Sequence, residues 1–310
     1  MSIGELTSEN KKSLRKRLRK VITISLTSML IAVSGLCGYF ILTEYKPAAT
    51  EDIKTSGTVA KQLHTNSEVN ILTWNIGFGG LGKNVDFFAD GGEMVFTVSK
   101  AEMQENLDNI AQTLKEQDAD INLIQEIDLA SNRTFGFNQI AFLAKNLPNT
   151  IQSYAPNFKV KFIPYPMPPL GYMDSGILTT TKYKVSTAAR HQLPIPFKWP
   201  ERIFNLKRAL LLSRIPIAHT EKELVVINLH LEAYDDGEGK AAQSQQLIKV
   251  FQAEVAKGNY VIAGGDFNQA FPGSVEKYGI HKELWTPPAM DSAIRDSGLT
   301  LVSDTSVATC

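Results

Sequence analysis

Residues 260–268 read YVIAGGDFN. YVIAG has the length and make-up of a buried β-strand, and Gly265-Asp266-Phe267-Asn268 follow where it stops. Three other strands end the same way. VNILTW (69–74) runs into Asn75, DINLIQ (120–125) into Glu126, and a strand over 223–230 closes on Asn228-Leu229-His230. Layered α/β proteins place ligands at strand ends. Singly, Asn75 reads as a turn residue, Glu126 as a surface acid, His230 as a core histidine, and Asp266 and Asn268 as turn caps. Four such coincidences in one chain read better as a single polar site.

Helices fill the spaces between these strands. Ser99, with Glu102 three residues on, has the pattern of a capping box. Leu107, Ile110, Ala111 and Leu114 follow at helical spacing. Further helices are expected over Gln139–Asn146 and 239–256, and further strands over 158–163, 175–180 and 208–217. Pro164, Pro166, Pro168 and Pro169 force an extended loop rich in apolar and aromatic groups. This alternation predicts one layered α/β domain over 69–310.

The remainder of the 310 residues is different in kind. Residues 11–20 (KKSLRKRLRK) hold seven of the 32 basic side chains. Residues 21–42 (VITISLTSMLIAVSGLCGYFIL) carry no charge, enough to cross a hydrocarbon core of about 30 Å. The expected order is a basic cytoplasmic tail (1–20), a single-pass transmembrane signal anchor (21–42), a polar linker (43–68) and the domain. The positive-inside rule then places the domain outside the cytoplasm, at the cell membrane. Cleavage of the apolar segment would leave it secreted instead, but no good cleavage site follows. Only two of the 32 acids precede residue 43, so 43–310 holds 25 basic and 30 acidic residues. A net negative domain does not bind polyanions by bulk attraction, so phosphate chemistry needs a local site or a metal. With two cysteines, a disulfide scaffold and a four-cysteine zinc site are excluded.

The succession TWN (73–75), LIQE (123–126), NLHL (228–231) and GGDFN (264–268) resembles the endonuclease/exonuclease/phosphatase superfamily. That superfamily includes DNase I-like nucleases, neutral sphingomyelinases and inositol-phosphate phosphatases. The resemblance implies a four-layer α/β/β/α sandwich of two packed mixed sheets, behind the N-terminal transmembrane helix. It also implies a metal-dependent phosphoesterase, with a phosphodiesterase of nuclease or phospholipid-headgroup type as the favoured reading. By that resemblance Glu126 and Asn75 hold Mg²⁺ (or Mn²⁺), and Asn75 also orients phosphate. Asp266 positions or deprotonates the attacking water, Asn268 holds phosphate or that water, and His230 donates toward phosphate or the leaving oxygen. Hard oxygen ligands and a hydrated cation suit such a site. Arg133 and Arg208 are further candidates for binding phosphate, and Lys207 for facing the cleft. His219 and His281 read as surface residues, and His191 has no assigned partner.

One departure counts against activity. Members of the superfamily end on a Ser-Asp-His whose Asp-His pair is the general base, whereas here Ser303-Asp304 precedes Thr305. The expectation is a domain short of its last strands, with an inactive chain as the consequence if the missing pair is indispensable. Two other readings follow: a non-catalytic binding domain of the same fold, and a sugar- or inositol-phosphate phosphatase. The expected partners are a phosphate-ester substrate, with nucleic acid or phospholipid possible, and the membrane through the N-terminal helix. No protein partner is expected.

Overall fold

The computed structural model describes residues 8–304 apart from 60, 83–84, 89–90, 97, 236 and 275–286. His281 and Thr305 lie outside the described residues. The chain forms two compact units, Met1–Glu44 and Tyr45–Cys310. The first holds helix α1, Ser8–Thr43, whose stretch Lys11–Thr43 is long and apolar enough to cross a membrane. A signal sequence would meet the same description.

The second unit contains two mixed sheets. One has the order β1-β6-β7-β8-β9 and the other β2-β3-β5-β4. In the first, β1 (Thr50–Ile53), β6 (Thr187–Gln192), β7 (Ala209–Pro216) and β8 (Glu223–His230) pair antiparallel. β9 (Tyr260–Asp266) joins β8 in parallel. In the second, β2 (Ile71–Asn75) runs parallel to β3 (Ile121–Asp128). β5 (Gly171–Thr181) is antiparallel to β3 and to β4 (Ile151–Ile163).

Residue period decides the layers. Val225, Ile227 and Leu229 of β8 pack with Leu247 and Ile248 of α4 (Glu238–Ala256). Leu224 and Val226, one step out of phase, meet Ile121 and Leu123 of β3 between the sheets. On the far side of β3, Ile124 packs with Leu107, Ile110 and Leu114 of α2 (Lys100–Gln117) and Leu143 of α3 (Gln139–Asn146). The result is the expected helix–sheet–sheet–helix sandwich. Ser99 and Glu102 form the expected capping box on α2.

The structure departs from the sequence reading at 43–68. Strand β1 pairs with β6, Ser56 bridges to Gln152, Lys61 reaches Asp120 at 2.6 Å, and Leu63 is buried beside Ile217. From β1 to Leu63 this segment is a strap across both sheets. Its polar composition is that of a short edge strand, which needs few apolar anchors. Arg190 of β6 supplies one anchor. Its fully buried guanidinium donates to the Pro156 and Lys207 carbonyls at 2.8 and 2.6 Å and lies 3.5 Å from Glu51. Strand β6 itself was missed because TAARHQ carries almost no apolar signal. β4 extends seven residues earlier than expected, through Pro156. That proline sits on an edge strand beside a register shift, a position that needs no ladder donor.

Glu254 of α4 is buried under Arg214 (2.6 Å), Lys257 (2.7 Å) and Asn259 (3.0 Å). Burial raises its carboxyl pKa, but the three donors outweigh burial and hold it down to about 2. A depressed folded pKa gives stability that is complete above the ordinary value of 4.5 and lost as pH falls toward 2. Glu254→Gln is therefore expected to cost about 1.5–3 kcal/mol at pH 7. It should also flatten the acid limb between those pH values in urea unfolding.

Candidate active site

The C-terminal ends of β2, β3, β8 and β9 meet across the two sheets. Asn75 is the junction. Its Nδ2 donates to Glu126 Oε1 at 3.0 Å and to Asp266 Oδ2 at 2.9 Å, while its Oδ1 accepts from the Gly77 amide at 3.0 Å. Three residues separated by up to 191 positions thus share one amide.

Each side chain reaches this point for a local reason. Glu126 is the extra residue of a β-bulge: Gln125 pairs with Ile177, Ile127 pairs with Gly176, and Glu126 lies between them at φ 55. A bulge re-aims a side chain that a regular strand would send to one sheet face. Asp266 closes β9 after Gly265, which has φ 141 and leaves only 2.0 Å between an added Cβ and the Leu229 carbonyl oxygen. Only glycine fits there. Asn268, at φ 50, donates its backbone N–H to Asp266 Oδ1 (2.9 Å) and its side-chain amide to the Leu231 carbonyl (2.8 Å).

His230 pairs in register with Asp266. Its Nε2 is 3.7 Å from Asp266 Oδ2, too far for a hydrogen bond. Burial, then the positive charge of Arg208, lowers its pKa to about 4 against the pull of Asp266 and Glu126. The imidazole is therefore neutral at pH 7 and can donate a hydrogen bond there, but it is not a charged acid. Burial raises the Asp266 pKa, and His230, Asn75 and the Asn268 amide more than reverse that, so Asp266 is an ionised carboxylate at neutral pH.

Glu126, Asp266, Asn75, His230 and Asn268 therefore come together. The two arginines are committed elsewhere. Arg133 is buried, with Nε and Nη2 on Asp128 at 3.1 and 2.9 Å and its plane 3.7 Å from the Phe78 ring. The expectation that it binds phosphate is corrected: its fork is filled by a buried carboxylate. Arg208 is also buried, with Nε 3.3 Å from Glu232 and Nη1 3.4 Å from the His230 carbonyl. It acts on the cluster as a positive charge behind His230. Lys207 is buried and donates to the Arg202 and Asn205 carbonyls, so it does not face an open cleft. The sequence reading overlooked Glu232. Its position two residues past His230, just beyond the end of β8, was the available signal.

The donor set fits a hard cation. Two carboxylates lie on one amide, and among the described residues neither has a Lys or Arg ion pair. No group of three or more acidic, His or Cys side chains surrounds one point among the described residues. An open site of few protein oxygens suits a cation that keeps its waters. Asn75 turns its Nδ2 to this cluster and its Oδ1 to the Gly77 amide, so the oxygens beside that Nδ2 are those of Glu126 and Asp266.

The Endonuclease/Exonuclease/phosphatase family model matches residues 72–276, more than half of the chain. No curated protein matches it. Among solved structures, an endonuclease/exonuclease/phosphatase from Beutenbergia cavernae DSM 12333 is 18% identical, with a TM-score of 0.41, covering 58% of this chain and 43% of that one. The human Nocturnin catalytic domain with bound sulfate is 15% identical, with a TM-score of 0.44, covering 70% and 68%. A humanized D. rerio TDP2 is 14% identical, with a TM-score of 0.42, covering 68% and 70%. The chain thus spans less than half the length of the first of these.

The Arg133–Asp128 pair generates a test. Arg133→Ala leaves Asp128 buried and uncompensated, so an unfolding free-energy loss of about 3–5 kcal/mol is expected. Adding Asp128→Ala should recover part of it in the same denaturation experiment.

Proposed function

Because the chain belongs to the endonuclease/exonuclease/phosphatase family, we propose that it is a divalent-metal-dependent phosphodiesterase, anchored by α1 with its domain outside the cytoplasm. The observation that carries the reading is the amide of Asn75 shared by Glu126 and Asp266, two carboxylates that have no Lys or Arg ion pair among the described residues. Glu126 holds Mg²⁺ or Mn²⁺, and Asn75 fixes its carboxylate. When bound, the cation supplies Lewis-acid polarisation and charge neutralisation at a phosphoryl oxygen.

The residues of the chain do the rest. Asp266, kept ionised, accepts a hydrogen bond from the attacking water and orients it. Asn268 fixes Asp266 through its backbone N–H, and the neutral His230 donates a hydrogen bond to a phosphate oxygen. Burial, with the charge of Arg208 held behind the imidazole on Glu232, keeps His230 uncharged. The basic run at 11–20 before the apolar stretch supports an N-terminus in the cytoplasm.

The test is hydrolysis of bis(p-nitrophenyl) phosphate, DNA and sphingomyelin by the full chain, with Mg²⁺ and with EDTA. Turnover is expected with the metal and not with EDTA. Asp266→Ala should lower it by about 10²–10⁴-fold. Glu126→Gln should raise the Mg²⁺ concentration required for half-maximal rate. Metal-independent turnover, or full activity in Asp266→Ala, would refute the reading.

A further inference from the structure

Strand direction places more than the polar cluster at one end of the sandwich. Ile163 and Gly171, which flank the β4–β5 turn, lie beyond the Asp128–Ser175 pair at the end of β3. Gln192 pairs with Ala209, and Leu210 with Leu229, so the connection 193–208 leaves from the end that carries His230. β1 begins there too: Thr50 pairs with His191, and the Ala49 carbonyl accepts from the Gln192 amide. The candidate site, the 164–170 loop, the 193–208 connection and the start of β1 therefore share one end.

That end is unusually apolar for a surface. Met167 is 79% exposed, Trp199 58% and Tyr165 48%. Tyr165 stands edge-on to Phe204, with ring centroids 6.1 Å apart, so the two loops touch. Phe162, at the end of β4, is exposed as well. Leu81, Phe135 and Tyr234, also exposed, follow β2, β3 and β8 from the same end. Of the eleven large exposed apolar side chains described in this unit, only Val255, Tyr260, Ile262 and Val302 lie elsewhere, so the asymmetry is not scatter. Lys161, near the end of β4, and Lys198, within the second loop, are both exposed. Prolines at 164, 166, 168, 169 and 200 limit the freedom that ordering them would cost.

We propose that these two loops are a membrane-contact surface which sets the site end on a lipid bilayer, and that the phosphate ester cleaved is the headgroup diester of a membrane lipid. The lipid-substrate half rests on the phosphodiesterase reading above; the contact half does not. Trp, Tyr and lysine are the side chains that favour the headgroup region. The chain supplies the geometry as well. α1 ends at Thr43 and β1 starts at Thr50, so six residues, about 20 Å fully extended, tether this end to an apolar helix.

The full chain has Trp74, Trp199 and Trp285 and none in α1, so tryptophan emission reads the second unit. It is reconstituted in vesicles of phosphatidylcholine and phosphatidylserine with brominated acyl chains. Quenched emission whose quenched component disappears in Trp199→Phe is expected. Equal quenching in the two proteins, or a chain that stays in solution, overturns the contact surface. In the same vesicles without bromine, a Tyr165→Ser, Met167→Ser, Trp199→Ser triple variant is compared on lipid and on bis(p-nitrophenyl) phosphate. The ratio of lipid to soluble hydrolysis should fall about tenfold or more. An unchanged ratio overturns lipid presentation. Trp199-specific quenching with hydrolysis of neither substrate upholds the contact surface and overturns the catalytic reading.

Discussion

Two buried amides hold the sandwich in register. Gln125 Nε2 donates to Asn228 Oδ1 at 2.8 Å, and Asn228 Nδ2 returns to the Leu178 and Ile124 carbonyls of the opposite sheet at 3.0 and 3.3 Å. Both residues are buried. A slip of one position in either strand would turn these amides toward a helix face and leave them unpaired, at a cost of about 1–3 kcal/mol for each group. The apolar contacts between the sheets are non-directional and tolerate such a slip better. The polar pair is therefore what aligns β3 with β8.

The site depends on this alignment. Glu126 follows Gln125 directly, and His230 lies two residues past Asn228 on the same face of β8. With the amides paired, β2 and β9 have their ends opposed, and Asn75 can reach Asp266. The bulge at Glu126 and the glycine at 265 are the local adjustments that turn two carboxylates toward one donor. Backbone conformations of this kind cost energy and persist where the surroundings over-determine them.

The arginines mark the boundary between structure and chemistry. Arg133 is buried and Arg190 fully so, and each spends donors on a carboxylate or on carbonyls within the domain. Arg208 lies between the two roles: it is locked to Glu232, yet its charge depresses the His230 pKa. A guanidinium beside a cleft motif in sequence is thus no guide to which partner it meets, because its five N–H groups can donate to any nearby oxygen.

The sequence by itself determined most of the element types, β1 and β6 excepted, and the five polar residues that meet at the strand ends. Apolar runs that stop at Asn75, Glu126, His230 and Asp266 report burial and its end, and burial is a property of local composition. The capping box at Ser99 and the helix over 139–146 are likewise local. Only the tertiary structure decided which side chains share a hydrogen bond, that Arg133 faces Asp128, and that the polar segment from β1 to Leu63 straps both sheets. It also decided that the exposed aromatic loops crowd the end that carries the site. Those facts depend on strand order and direction, which pair residues as much as 191 positions apart and leave no period in the chain.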